Sequence, residues 1–497
     1  MLSAKEKEWR EERLARIKKW EEDCPWEDFI DDDNISKIIE EKKNPDKKEI
    51  LEIVSKAKEN ALTGAMLSPE EVGALTNVQD PELWEAIFEA ANWIKCKVYG
   101  NRIVLFSPLY ISSPCVNNCA YCGFRHSNKE VHTKTLTMEE LEEEIKVLTG
   151  MGQKRLIVVY GEHPASDYKF MCKTIEKIYS IKNGKGEIRR VNVNAPPLFV
   201  DEYEAVKAVG IGTYQVFQET YHHPTYHKMH PANTLKGQYK WRQFALHRAL
   251  QAGIDDVAIG ALFGLYDWRF ELLGLLYHAM SLEKEFGVGS HTISYPRLEH
   301  AVNTPITSNS PYLVDDEDFK KIVAIIRLMC PYTGSILTAR EAPALRRDLI
   351  QKGGISQMDA GTRIAVGGYA EMKKEHIPDK QQFLIQDTRS LDDFIYDLCK
   401  DGYLPSFCTA CYREGRTGDN FMPLAKHATV KNFCIGNGIL TFKEYLLDYA
   451  SPRVKEIGEK VIIPNYLKWL DEHVPQAAKQ VKELLQKEEA GERDQHL

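Results

Sequence analysis

A surplus of positive charge is missing from this chain: 65 Lys and Arg stand against 73 Asp and Glu, a formal net charge of -8. Without a basic excess there is no electrostatic footprint for nucleic acid or an anionic membrane, and neither partner is expected. Missing too is any uninterrupted apolar run of about 18 residues, the minimum for a membrane-spanning helix. The first residues, MLSAKEKEWREERLARIKKWEED, contain no apolar core of the signal-peptide kind, so a cytoplasmic location is expected. No Gly-x-Gly-x-x-Gly follows the first strand-like segment, which counts against an open dinucleotide-binding sheet. Disulfides suit secreted chains, and in a large chain with no export signal clustered cysteines more often hold metal.

What is present is 497 residues, 43% of them hydrophobic and 28% charged, enough for a large core in a soluble globular protein. Residues 1–98 read as a helical extension. Glu and Lys alternate along Ala4–Glu22 and Ile35–Lys58, and Ser68 with Glu71 forms a capping-box pattern. From residue 99 to 375, short β-rich runs alternate with amphipathic stretches. Eight candidate strands occur: Ile103–Phe106, Arg155–Tyr160, Arg190–Asn194, Gly212–Phe217, Asp256–Leu262, His291–Tyr295, Ser335–Thr338 and Arg363–Val366. Eight strands with intervening helices predict an α/β fold, a (β/α)8 TIM-type barrel of parallel βα units. Ala370–Gln382 reads as a linker or long loop. Residues 376–497 form a mainly helical C-terminal unit whose tail, Ala477–Leu497, is a charged helix fraying into polar residues.

Six of the eleven cysteines fall into two groups. Cys115, Cys119 and Cys122 lie in the loop after the first strand, at the barrel end where chemistry gathers. Three thiolates can hold three corners of a 4Fe–4S cubane and leave the fourth iron open to a substrate or cofactor. Zinc is the competing reading, with His126 as fourth ligand. The second group is Cys408, Cys411 and Cys434; here a cluster and a Cys3His zinc site with His427 stand level on spacing alone.

The C-x3-C-x2-C spacing after a first barrel strand, with Tyr121 before the last cysteine, resembles the radical SAM enzymes. The resemblance implies that S-adenosyl-L-methionine (SAM) chelates the open iron and yields a 5′-deoxyadenosyl radical. Tyr160-Gly161-Glu162 looks like the family's Gly-Gly-Glu motif with Tyr in place of the first Gly. It implies that Glu162 accepts a bond from the methionyl ammonium of SAM, and Gly161 is the other position of the motif carried over. Asn192, Asn194, Gln218 and Glu219 end neighbouring strands and point polar groups at the same mouth.

CVNNCAYCGF (Cys115–Phe124), GIGTYQVFQETY (Gly210–Tyr221), HTISYPR (His291–Arg297) and CTACYREGRTG (Cys408–Gly418) extend the likeness. Over about residues 95–450 the chain resembles the HydG family, radical SAM tyrosine lyases that mature FeFe-hydrogenase. That implies two 4Fe–4S clusters, one binding SAM and one auxiliary, the latter with an additional iron and a cysteine. It further implies cleavage of the Cα–Cβ bond of L-tyrosine to p-cresol and dehydroglycine, and conversion of the fragment to carbon monoxide and cyanide. The partners implied are an electron donor such as ferredoxin or flavodoxin, and the other hydrogenase maturases. Arg340, just past the seventh strand, is expected to hold the tyrosine carboxylate through two parallel bonds, with an ion pair to Glu341 as the structural alternative. Arg297 is a second cation, for substrate or SAM. One departure is Ser281, where the family is expected to carry a histidine for the additional iron; His278 and His291 are the substitutes at hand. Two rival functions remain: a thiamine-pathway-type tyrosine lyase that releases dehydroglycine, and a non-catalytic iron–sulfur carrier or scaffold.

Overall fold

The computed structural model describes residues 2–371 and 378–497. The expected boundary at 375/376, and much of the linker around it, lie outside the described residues.

Five helices precede the first strand: α1 (Ala4–Asp23), α2 (Asp32–Glu41), α3 (Lys47–Thr63), α4 (Pro69–Thr76) and α5 (Pro81–Tyr99). Each starts on a side-chain cap. At α4 the Ser68 hydroxyl accepts from the Glu71 amide and Glu71 accepts from the Ser68 amide, which completes the capping box read from the sequence. These helices are held by more than their charges. Ile50, Ile53 and Val54 of α3 and Ile87 and Ile94 of α5 are buried in the main core. Helix α1 is separate. Its Ile17 is buried in a small cluster with Val116, Phe199 and Trp241, so it packs directly on the loop that bears the first cysteines.

Eight parallel strands close the barrel: β1 (Arg102–Ser112), β2 (Arg155–Tyr160), β3 (Arg190–Asn194), β4 (Tyr214–Gln215), β5 (Val257–Gly260), β6 (Thr292–Ser294), β7 (Gly334–Leu337) and β8 (Gln357–Asp359), with β8 pairing back to β1. The strand expected at Arg363–Val366 is not one. The closing strand is Gln357–Asp359, six residues earlier, and its polar ends disguise it. All of β1 is buried, as suits a strand covered on both faces. A ninth strand, β9 (Leu404–Ser406), pairs with the foot of β1, Arg102 against Leu404 and Val104 against Ser406. Cys408 follows it at once. The helix α6 (Lys431–Asp448) carries Cys434 and packs on β9, and α7 (Pro475–Glu489) packs on α6. The charged tail frays after α7, but its last residue is docked: the Leu497 amide donates to Asn437 Oδ1 of α6 at 2.7 Å.

Candidate active site

Cys115, Cys119 and Cys122 line one cavity at the C-terminal ends of the strands, together with Gly161, Glu162, Asn194, Glu219 and Arg340. The loop reaches this place because its backbone is pinned. The Val116 amide donates to the Glu162 carbonyl at 2.8 Å, and the Gly161 amide to the Ser112 carbonyl at 2.7 Å. Position 161 admits only glycine, since a Cβ there would lie 2.2 Å from the Pro114 carbonyl oxygen. Burial pushes the Cys115 thiol up to about 11 and Cys119 to about 12. A metal bound there would have to displace those protons.

Glu162 is buried, which raises its pKa against the pull of Asn117, Arg13, Arg242 and Lys236. It accepts from Asn117 Nδ2 at 2.5 Å. The Tyr121 ring lines the cavity and its hydroxyl lies 2.8 Å from His230 Nε2. His230 Nδ1 lies 2.8 Å from the Tyr226 carbonyl, which can only accept; Nδ1 therefore carries the proton and Tyr121 donates to Nε2. Sequence reading missed His230 as Tyr121's support, and Lys236 and Arg242 as partners of Glu219. Burial opposes ionisation of Glu219, but the charges of Lys236 at 2.6 Å and Arg242 at 3.4 Å outweigh it and hold Glu219 below the usual carboxylate range. Its φ of 74° adds a strained backbone to this buried ion-paired setting.

Arg340 lies over the Phe383 ring, 3.5 Å from its centroid, and donates to the Arg297 carbonyl at 3.2 Å. It has no carboxylate partner among the described residues. Glu341, the alternative partner, is taken by Arg297 at 2.6 Å. Arg297 also pairs with Asp316 at 2.6 Å and does not line the cavity, so the structure brings Arg340 to the cysteines and leaves Arg297 behind it as a support. Asn194 lines the cavity, whereas Asn192 accepts from Arg190 Nε at 2.6 Å in the barrel wall.

Cys408, Cys411 and Cys434 gather at the opposite end, near the N-termini of the strands. Burial raises Cys411 to about 12, with the Cys434 and Cys408 thiols adding to the rise. Arg155 donates to the Cys408 carbonyl at 2.5 Å. Among the described residues no three His, Cys, Asp or Glu side chains converge on one metal ion. The Ser281 hydroxyl pairs with His247 at 2.9 Å. His278 is packed against Phe29 and bonded to Tyr221. His291 instead faces the second triad's segment, its ring against Phe421 and its Nε2 3.4 Å from the hydroxyl of Tyr412, the neighbour of Cys411.

Comparison with known proteins fits this two-ended arrangement. The Radical SAM superfamily model matches residues 109–271, and the Biotin and Thiamin Synthesis associated domain matches residues 294–404. The chain is 30% identical over 355 residues to 2-iminoacetate synthase of Salmonella typhimurium, covering 70% of this chain and 88% of that one. A crystal structure of HydG, a maturase of the [FeFe]-hydrogenase, superposes with a TM-score of 0.89 at 48% identity, covering 95% of this chain and all of the other. The chain belongs to the HydG family. HydG from Carboxydothermus hydrogenoformans superposes with a TM-score of 0.77 at 38% identity, covering 91% and 97% of the two chains. The HydG match covers 95% of the chain, whereas the radical SAM model ends at residue 271, before the second triad. A radical SAM enzyme of this family takes a 4Fe–4S cluster and SAM, and the first triad is the donor set suited to them.

Proposed function

We propose that this protein cleaves the Cα–Cβ bond of L-tyrosine to p-cresol and dehydroglycine, and turns the fragment into carbon monoxide and cyanide for the FeFe-hydrogenase active site. The observation that carries this reading is Arg340, a cation without a carboxylate partner among the described residues, facing the same cavity as Cys115, Cys119, Cys122 and Glu162. A guanidinium held by Phe383 and the Arg297 carbonyl is preset for a bidentate carboxylate. When bound, the cluster and SAM supply an electron and an organic radical. The chain's own residues bind and orient. Cys115, Cys119 and Cys122 hold the iron, Glu162 takes the methionyl ammonium, Gly161 lets the cysteine loop close, and Tyr121 braces it through His230. Arg340 fixes the amino acid.

Dehydroglycine equals carbon monoxide, hydrogen cyanide and water in composition, so the second half needs no outside oxidant. Cys408, Cys411 and Cys434 would hold the auxiliary cluster for it. His291, whose ring lies against Phe421 and near Tyr412, would reach an additional iron there, and cysteine is the expected small ligand. A ferredoxin or flavodoxin as electron donor and the other hydrogenase maturases are the expected protein partners.

The relative 2-iminoacetate synthase supports a second reading, a lyase that stops at dehydroglycine. The second triad favours the longer reaction. Anaerobic reconstitution with iron and sulfide, followed by SAM, tyrosine and a strong reductant, decides. p-Cresol together with carbon monoxide and cyanide is expected. p-Cresol alone would favour the shorter reaction, and no p-cresol would leave an iron–sulfur carrier.

A further inference from the structure

Below the cysteine cavity lies a second chamber inside the barrel, and Arg340, Asn194 and Phe217 line both. Its walls are mostly apolar, with Ile157 and Ile336 facing each other in a small cluster with Phe106. Its polar lining is Asn194 and Arg340, shared with the cavity above, Thr338, Thr362 and Asp359, the last paired with Arg346, and two more side chains, Gln215 on β4 and Ser294 on β6. Gln215 is 5% exposed and Ser294 1% exposed, yet among the described residues neither side chain has a hydrogen-bond partner. Buried amides and hydroxyls are costly unless they are bonded, by roughly 1–3 kcal/mol each. Barrel interiors of this kind are ordinarily filled with branched apolar residues.

Strand register sets the depth of these groups. Ser294 is the pairing partner of Ile336, and Gln215 is level with Ala258 and so with Thr292, two residues lower on β6. Ile336, Thr338 and Arg340 all face the chamber, four residues from first to last. If extended, that is about 13 Å of chain. Part of this span is taken by the Arg340 side chain. What is left suits one amino acid with its carboxylate on Arg340, an aromatic ring against the Phe106, Ile157 and Ile336 cluster, and a hydrogen-bonding group at the far end of the ring.

We infer that Gln215 and Ser294 are the specificity pair that recognises the phenol hydroxyl of the substrate. This rests on the reading of the site as one for tyrosine and goes beyond it by assigning what rejects phenylalanine. The serine hydroxyl and the Gln215 amide can each donate or accept, so between them both the phenol proton and its lone pairs are met. A site built to bond a hydroxyl discriminates strongly against the analogue that lacks it, because its own polar groups are then buried unpaired. An apolar chamber alone would favour phenylalanine.

The test is a binding measurement on the reconstituted holoprotein with SAM, anaerobic and without reductant, by calorimetry with L-tyrosine and with L-phenylalanine. Tyrosine is expected to bind at least tenfold more tightly. Gln215→Met and Ser294→Ala should each shrink that ratio severalfold while phenylalanine binds as before or better. Equal affinity of the wild type for both amino acids overturns the inference, and so does a ratio that survives both substitutions. The wild-type comparison decides even where a variant fails to fold. Product analysis separates this from the lyase reading. Tyrosine preference without p-cresol sinks the chemistry and keeps the pair; p-cresol with no preference sinks the pair and keeps the chemistry.

Discussion

Single atoms decide several functions here. Gly161 is the sharpest case, because any side chain meets the Pro114 carbonyl. Gly161→Ala should misplace the loop of the first triad at a cost of about 1–3 kcal/mol. The expected result in iron and sulfide analysis is loss of the first cluster's iron with the second cluster's retained; equal loss from both would argue for general unfolding. Arg340→Gln removes the proposed carboxylate clamp. The tyrosine KM should rise about 100-fold, equivalent to ~3 kcal/mol, and Arg340→Lys should recover only part of it, as a point charge lacks the second parallel bond. Steady-state p-cresol formation reads both. Cys408→Ala is expected to leave p-cresol formation in place and abolish carbon monoxide, which gas analysis would check.

Among elements, legibility followed local pattern. β2 and β3 were readable to the residue because Arg-Leu-Ile-Val-Val-Tyr and Arg-Val-Asn-Val-Asn carry strand character on their own. β8 was not: Gln-Met-Asp is a strand only because β7 and β1 flank it. β9, Leu-Pro-Ser, is likewise made by its neighbour. The same division runs through the site. Both triads were visible from spacing, whereas the supports of Arg340 and Tyr121 were not, since Arg297, Phe383 and His230 come from distant segments. Helix α6 illustrates what such distant partners do. Its Glu444 is buried with Arg189 at 2.8 Å and Lys154 at 2.8 Å. Burial opposes the charge, but these cations prevail and hold Glu444 at about 2 rather than 4.5. A depressed folded-state pKa contributes stability above about pH 4.5 that is lost as pH falls towards 2, up to about 3 kcal/mol in all. Acid titration followed by circular dichroism should show this, and Arg189→Gln should flatten that stretch of the curve and weaken the seat of Cys434.

At the scale of the molecule, the chain is a barrel with a cysteine triad at each end, α1 packed over one and the C-terminal residues folded back on the other. Air exposure should abolish p-cresol formation, since sulfonium cleavage needs a cluster at the reducing end of the iron–sulfur range. The circular dichroism spectrum should be retained, because the large apolar core does not depend on iron.

β1 ties the two ends together. Ser406 pairs with Val104 at the foot of this strand, and Cys115 lies three residues beyond its head, so eight residues from Val104 to Ser112, roughly 26 Å, stand between the triads. That separation is a rigid, fully buried rod. Clusters bound at the two triads would thus be magnetically private: electron paramagnetic resonance of the fully reduced protein should be the plain sum of the spectra of the Cys408→Ala and Cys115→Ala proteins, with no spin coupling. A reductant that charges one end leaves the other at its own potential.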